Sequence, residues 1–425
     1  MYNIKEYGAV AGGSVVCTAA IQSAIDACAA AGGGRVTVPA GIYKTGTIWL
    51  RSGVELHLEL GAELLGSENF DDYNAIDAYP QNLNSPVNEQ WVGKHLIIAH
   101  EVENVAITGL GTVNANCHAF VDYVEVTPRF TWRSGMSVCK DPENLRPGQV
   151  IVFIECRHAT VQDITIRNAT CWALFFHGCE FVQVRGLKVF TPIYVLNSDG
   201  LDIDSCRYVT VSDCILHVGD DGITVRCEKS KLKNKDIDAE YITITNCVIR
   251  TGTNGFRIGV GAGNIRHVQI SNIAIERCRC ALEFCTTYSE YCRVNIEDIH
   301  VSGLTAVDAD AAFRLCAKNG ASIRNVSIER VRASSRMMNF IDGEYGKIDN
   351  VKIRDVEINV SDRFTKDQVN AWQFNFRGNH VFKVQNASRV VLDRLNIFGT
   401  LSDCDGEYSF AECDDIVKEN CIFQK

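Results

Sequence analysis

The stretch NSDGLDIDSCRYVTVSDCILHVGDDGITV, residues 197 to 225, sets six aspartates into apolar, β-branched sequence. Burying carboxylates there is costly unless they are partnered or used. Asp199 is followed 21 residues later by the adjacent pair Asp220 and Asp221. Like charges brought into one site raise one pKa. One group then keeps a proton for a leaving group, while its neighbours stay ionised and polarise water. The spacing therefore points to acid and base chemistry if the fold brings residue 199 beside residue 220. The other three aspartates read differently. Asp202 and Asp204 alternate with Leu201 and Ile203, and Asp213 precedes Cys214 at a bend. Solvent-facing strand positions or turn caps are expected for them, with Asp202 kept as a candidate substrate contact. The competing structural reading is an aspartate ladder that caps turns or binds Ca²⁺.

The elements that must do the positioning are visible from residue 159. Two short alternating apolar strands broken by a bend recur there: Ala159/Val161/Ile164/Ile166, Val182/Val184/Leu187/Val189 and Val209/Val211/Cys214/Leu216. Further copies begin at Ile242, Val268, Val294, Val326, Val351 and Val390, giving steps of 23, 27, 33, 26, 26, 32, 25 and 39 residues. Such a period indicates a solenoid, and no helix-period stretch separates the copies. The expected fold is all-β, a single right-handed parallel β-helix. Stacked rungs lie about 4.8 Å apart, so Asp199 and Asp220, about one coil apart, are expected to face one cleft. Loop insertions are expected at 226 to 241, 303 to 323 and 362 to 388. Thr18 to Ala31, with Ile21, Ala24, Ile25 and Cys28 on one face and Gly32-Gly33-Gly34 behind, reads as a capping helix with Thr18 as its N-cap. The reading is one domain over 1–425, with cap and first strands over 1–45 and a polar tail over 400–425.

Composition narrows the partners. Of 425 residues, 46% are hydrophobic and 22% charged, with a formal net charge of −10. That charge argues against nucleic acid or an anionic membrane as the main partner, and no run approaches the roughly 18 apolar residues of a membrane span. The start, MYNIKEYGAV, shows no secretory pattern. Nineteen cysteines without a framework spacing fit packed thiols in a reducing compartment, so a cytoplasmic location is expected and the sequons at Asn168, Asn325 and Asn386 are idle. No metal site is expected: CxxC is absent, and Cys278-Arg279-Cys280 is too close for the usual zinc spacing. IGVGAGN lacks the spacing of a nucleotide loop.

Several segments together resemble glycoside hydrolase family 28, the polygalacturonase-like β-helix enzymes, nearly end to end. AAIQSAIDACAAAGGGRVTVPAGIYKTG is similar to that family's N-terminal cap, GLGTVNA (109–115) to its Gly-x-Gly-Thr-Ile-Asp segment, and LRPGQVIVFIEC (145–156) to its Arg-Pro strand. More specific are Asn197-Ser198-Asp199, similar to the Asn-Thr-Asp motif, and Gly219-Asp220-Asp221, similar to Gly-Asp-Asp. The resemblance implies inverting hydrolysis without metal or organic cofactor, Asp220 as general acid and Asp199 with Asp221 activating water. Inverting glycosidases hold the two carboxyls roughly 6.5 to 9.5 Å apart.

Two motifs depart from the family. Its Gly-His-Gly aligns with Thr253-Asn254-Gly255, placing Asn254 where the histidine would be, and Asn does not titrate. Its Arg-Ile-Lys aligns with Glu283-Phe284-Cys285, where a uronate would meet repulsion. Arg226 and Arg257 are candidates to restore positive charge, or Glu283 takes hydroxyls of a neutral sugar. The expected substrate is an imported pectin-type or related oligosaccharide, not plain homogalacturonan, cut from one end. Asn197 and Trp132 are further candidate substrate contacts, the latter in a loop of Tyr123, Phe130, Trp132 and Arg133 suited to sugar stacking. The lysines of CEKSKLKNKDIDAE (227–240) read as a solvated loop, and His177 and His217 as structural histidines. A β-helix lyase or epimerase, or a non-catalytic carbohydrate-binding β-helix, are the alternative classes. The oligomeric state is left open.

Overall fold

Short apolar alternations joined at left-handed residues build the turns of this chain. Asp163, Asp213, Asn246 and Asn272 occupy bends with φ between 54° and 63°, a conformation that Asn and Asp tolerate better than most residues. The structure is a computed structural model that describes residues 2–78, 92–125, 135–141, 145–287, 292–361, 380–401 and 408–424. It is a right-handed parallel β-helix with an N-terminal capping helix. Its residues group into two compact units. The first runs to Val124 and includes Ser137–Gly219 and Ser230–Ile237; the second includes Asp220–Lys229 and Asp238 onward.

In the first unit the inward residues stack in columns. Val36 pairs with Leu56, Leu56 with Ile107, Ile107 with Val161, Val161 with Val184 and Val184 with Val211. The turns thus begin well before residue 159, where the alternation first becomes regular in sequence. The helix Thr18–Ala30 buries Ile21, Ala24, Ile25 and Cys28 as expected. Thr18 is not its N-cap: that position is Cys17, and the Thr18 hydroxyl instead accepts a hydrogen bond from the Gly46 amide at 2.7 Å. Gly33, at φ 98°, sits so close to the Gly53 carbonyl that a Cβ would lie 2.5 Å from its oxygen.

The second unit repeats the design. Ile244, Ile270, Val301, Ile328, Ile353 and Leu392 form one column. Val268 pairs with Ile299, not Val294; Val294 and Ile296 imitate the pattern just ahead of the true rung. The insertion expected at 303 to 323 is instead two strands, Asn295–Ala306 and Ala309–Cys316. Most of the one at 362 to 388 lies outside the described residues. The polar end continues the ladder, with Tyr408–Ala411 and Asp414–Glu419 pairing onto the preceding turn.

A charge ladder fixes the register on the outer surface. Glu103, Arg157, Glu180 and Arg207 pair in sequence in the first unit, as Glu240, Arg266, Glu297, Arg324 and Asp349 do in the second. Glu180 bridges Arg157 at 2.8 Å and Arg207 at 2.9 Å. Glu180→Lys would stack three like charges, and we expect it to lower unfolding free energy by about 1 kcal/mol. The loss should shrink in high salt, which urea titrations at two ionic strengths check.

Candidate active site

The carboxylates of the second unit are set by its first turns. Asp220 and Asp221 immediately precede the strand Ile223–Cys227, which pairs with Asn254–Gly261, which pairs in turn with Asn264–Cys285. Gly222 behind them is a close approach: a Cβ there would lie 2.7 Å from the Gly255 carbonyl oxygen. The pair therefore sits tight against the turn that supplies its partners. Asp221, 2% exposed, accepts from four donors. Its Oδ1 receives the Asn254 amide at 3.0 Å, the Asn254 Nδ2 at 2.8 Å and the Thr253 hydroxyl, while its Oδ2 receives Arg257 Nε. Burial pushes this carboxyl up, but the Arg257 guanidinium, the Thr253 hydroxyl and the Arg279 charge outweigh it and hold the pKa below the usual range. Asp221 is thus a fixed anion.

Asp220 has a different setting. It is half-buried, and its Oδ1 lies 2.7 Å from the Thr253 hydroxyl. Its backbone carbonyl accepts from the Thr251 hydroxyl, which also receives the Thr253 amide at 3.0 Å. Asn254 is fully buried beneath them, and its Oδ1 accepts from Arg279 Nη2 at 3.0 Å. Adjacent carboxylates are thereby made chemically unlike, the arrangement from which acid and base roles arise.

One rung beyond Arg257 stands Glu283, and one rung beyond that Arg314. Arg314 is fully buried, with Nη1 4.0 Å from Glu283 Oε2. Desolvation pulls its pKa down, opposed by the nearby Glu283 charge. Glu283 is itself 6% exposed, so the altered cation motif is partnered by Arg314 inside the protein. Arg257, expected to offer a free positive charge, is committed to Asp221. Arg226 is half-buried at a register shift between Val225 and Cys227.

In the first unit the Asn197–Asp199 turn is clamped from beneath. Arg146, buried, donates to the carbonyls of Thr170 and Leu196 at 2.7 and 2.6 Å and to Asn197 Oδ1 at 2.9 Å. Asn197 takes φ 51°, and the Arg146 bond to its Oδ1 steadies the turn. The Ser198 hydroxyl donates to the Val195 carbonyl and accepts from the Gly219 amide. Asp199 follows, 7% exposed, its carbonyl accepting the Ala173 amide at 2.8 Å.

Asp202 and Asp204 do not face solvent: both are fully buried on Leu201–Asp204, in register with Phe175 and His177. Asp204 Oδ2 lies 3.6 Å from His177 Nδ1. Full burial also removes Asp202 from direct substrate contact. Asp213 is the expected exposed bend residue, at φ 60°. Trp132 lies outside the described residues, and Tyr123 packs edge-on against Tyr194. The loop lysines are mostly exposed, as expected, though two of them make ion pairs. Lys229 pairs with Asp238, Lys233 pairs with Glu101, and Leu232 between them is buried. Arg279 and Arg314 had no sequence motif to announce them, and Thr253 drew attention only as the neighbour of Asn254. Thr253 lies in the bend between Ala239–Thr251 and Asn254–Gly261, and the two arginines lie on later strands, Asn264–Cys285 and Ala309–Cys316, so only the register of the turns brings them into play.

Comparison with known proteins accords with this geometry. The family model described as glycosyl hydrolases family 28 matches residues 28–375. An exo-poly-α-D-galacturonosidase of Dickeya chrysanthemi is 28% identical over 249 residues, 52% of this chain and 41% of that protein; the chain thus spans under half of that relative's length. An exopolygalacturonase from Thermotoga maritima, 20% identical, superposes with a TM-score of 0.60 over 99% of this chain and 90% of that one. The A-module of a mannuronan C-5 epimerase from Azotobacter vinelandii, 14% identical, gives 0.64 over 100% and 99%. At such identities these two likenesses establish the fold alone. The family match extends over the turns that carry Asp199, Asp220, Asp221 and their partners, and this chain belongs to glycosyl hydrolases family 28.

Proposed function

We propose that the chain is a glycoside hydrolase that cuts pectin-type or related oligosaccharides with inversion, releasing product from one chain end. Asp220 is the general acid, Asp199 is the base, and Asp221 orients the attacking water. The observation that carries this reading is Asp221, fixed as an anion by Arg257 and sharing the Thr253 hydroxyl with the adjacent, more exposed Asp220. A carboxylate holding an arginine and three further donors is a weak base, so Asp221 aligns water through the acceptor capacity left on Oδ2, and Asp199 takes the proton.

Family 28 membership and the Dickeya relative support a pectin-type substrate. Glu283-Phe284-Cys285, at the position of the family's cation motif, favours a substrate other than plain homogalacturonan, such as a rhamnogalacturonan-type oligosaccharide. A cytoplasmic enzyme acting on imported oligosaccharides accords with the described cysteines, which form no disulfide. The test is proton NMR of the first product from a panel of galacturonan and rhamnogalacturonan oligosaccharides. An inverted anomer at a single terminal residue is expected. A retained anomer would overturn the mechanism, and an unsaturated sugar would assign the chain to lyase chemistry instead.

A further inference from the structure

We propose that Thr253 is a positioning residue that keeps the acid's proton on Asp220. Its hydroxyl accepts a hydrogen bond from protonated Asp220 while giving its own hydrogen to Asp221. The proposal rests on the reading of Asp220 as the general acid. A threonine hydroxyl carries one hydrogen, yet Thr253 Oγ1 lies within hydrogen-bonding distance of two carboxylates, Asp220 Oδ1 at 2.7 Å and Asp221 Oδ1. Asp221 is the anion, so the hydrogen belongs there. A 2.7 Å contact between the hydroxyl's lone pair and an ionised Asp220 would be repulsive; with the proton on Asp220 Oδ1 it becomes a hydrogen bond.

The hydroxyl cannot drift from this position. The Thr253 amide donates to Thr251 Oγ1, its carbonyl accepts the Arg279 amide at 2.5 Å, and the Thr251 hydroxyl ties the same turn to the Asp220 carbonyl. Threonine is also stiff at χ1.

The surrounding charges make such a device necessary. Asp221 beside Asp220 favours its neutral form. Arg257 on Asn254–Gly261, Arg279 on Asn264–Cys285 and Arg226 on Ile223–Cys227 favour its ionised form, Glu283 lies one rung past Arg257, and Asp199 joins them on the proposed reading. Asn254, where the family resemblance places a histidine, has no proton to hold or relay. During turnover the Asp220 proton passes to the glycosidic oxygen as the bond from the anomeric carbon breaks and its electron pair stays on that oxygen. Water adds to the carbon and gives its proton to the base. The Thr253 hydroxyl then turns its hydrogen toward the newly charged Asp220 until solvent reprotonates it, and no bond to Thr253 is made or broken.

The experiment follows the Asp220 carboxyl by ¹³C NMR in aspartate-labelled protein, its resonance assigned by its loss in Asp220→Asn. No substrate is required. In Thr253→Val the midpoint should fall by about one pH unit, a tenfold change in proton affinity, and Thr253→Ser should restore it. Thr253→Ala, less demanding in shape, serves if the valine variant does not fold. A midpoint unmoved in the hydroxyl-free variant overturns the proposal. Full activity in Asp220→Asn would instead overturn the acid assignment, whatever the titration shows.

Discussion

Asp220→Asn should lower kcat by about 10² to 10⁴, the range a positioned general acid contributes, with little change in KM. The substitution keeps shape and leaves an amide able to hydrogen-bond Thr253, so the turn held by Thr251 and Thr253 should stay folded. The lost property is the proton. A substrate whose leaving group is already a weak base does not need it, so an aryl glycoside should lose much less than the natural linkage. Steady-state kinetics on both substrates, with thermal unfolding as a control, separate chemistry from stability. Turnover of the natural linkage within about threefold of the parent would sink the role given to Asp220. Equal losses on both substrates would place the residue in binding or folding.

Much of the architecture was legible because a β-helix writes one pattern many times. Val161, Val184 and Val211 follow it in sequence and stack in space. The reading failed where its assumption of one solvated face failed. All four residues of Leu201–Asp204 are buried, as are those of Ile151–Ile154 and Leu174–His177. Alternate residues of those last two strands, Val152, Ile154 and Phe175, join Ile98, Cys171 and Trp172 in a separate apolar cluster. Parallel strands covered on both faces lose the alternation that marks inside from outside, so Asp202 and Asp204 looked outward when they were not. The earliest turns escaped notice for a related reason: capping segments and irregular steps blur the period.

The site divided along the same line. Asp199, Asp220 and Asp221 stood out because carboxylates on apolar strands demand an explanation. Their surroundings did not, because Thr253, Arg279 and, behind Glu283, Arg314 acquire meaning only once register is known. Arg257 pairs with Glu283 and Glu283 with Arg314 across three rungs, a column of alternating charge whose members are about 26 to 31 residues apart in sequence. No local motif records such a column. It also changes what the missing cation motif means, since Glu283 answers to Arg314 inside the protein before it can answer to a substrate.

Arg257→Met carries the largest expected cost to stability. Asp221 is buried and Arg257 largely so, joined through Nε and Oδ2. Removing one member of a buried pair leaves an uncompensated charge, worth about 3 to 5 kcal/mol. The pH dependence follows from the direction of the Asp221 shift. Its folded pKa lies below its unfolded value, so its contribution is fully present above the unfolded value of about 3.9 and is lost as pH falls through the folded one. In Arg257→Met, Asp221 is more easily protonated on acidification, which relieves the penalty. The gap between parent and variant should therefore be widest at neutral pH and narrow towards about pH 4. Urea unfolding of both proteins at the two pH values measures it. Adding Asp221→Asn to the variant should recover part of the stability at neutral pH without recovering activity, because the buried charge is gone while the water-orienting carboxylate is gone with it. A gap unchanged by pH, or a double variant no more stable than Arg257→Met alone, would mean that Arg257 stabilises the fold by packing and that Asp221 owes its ionised state to Arg279 and Asn254.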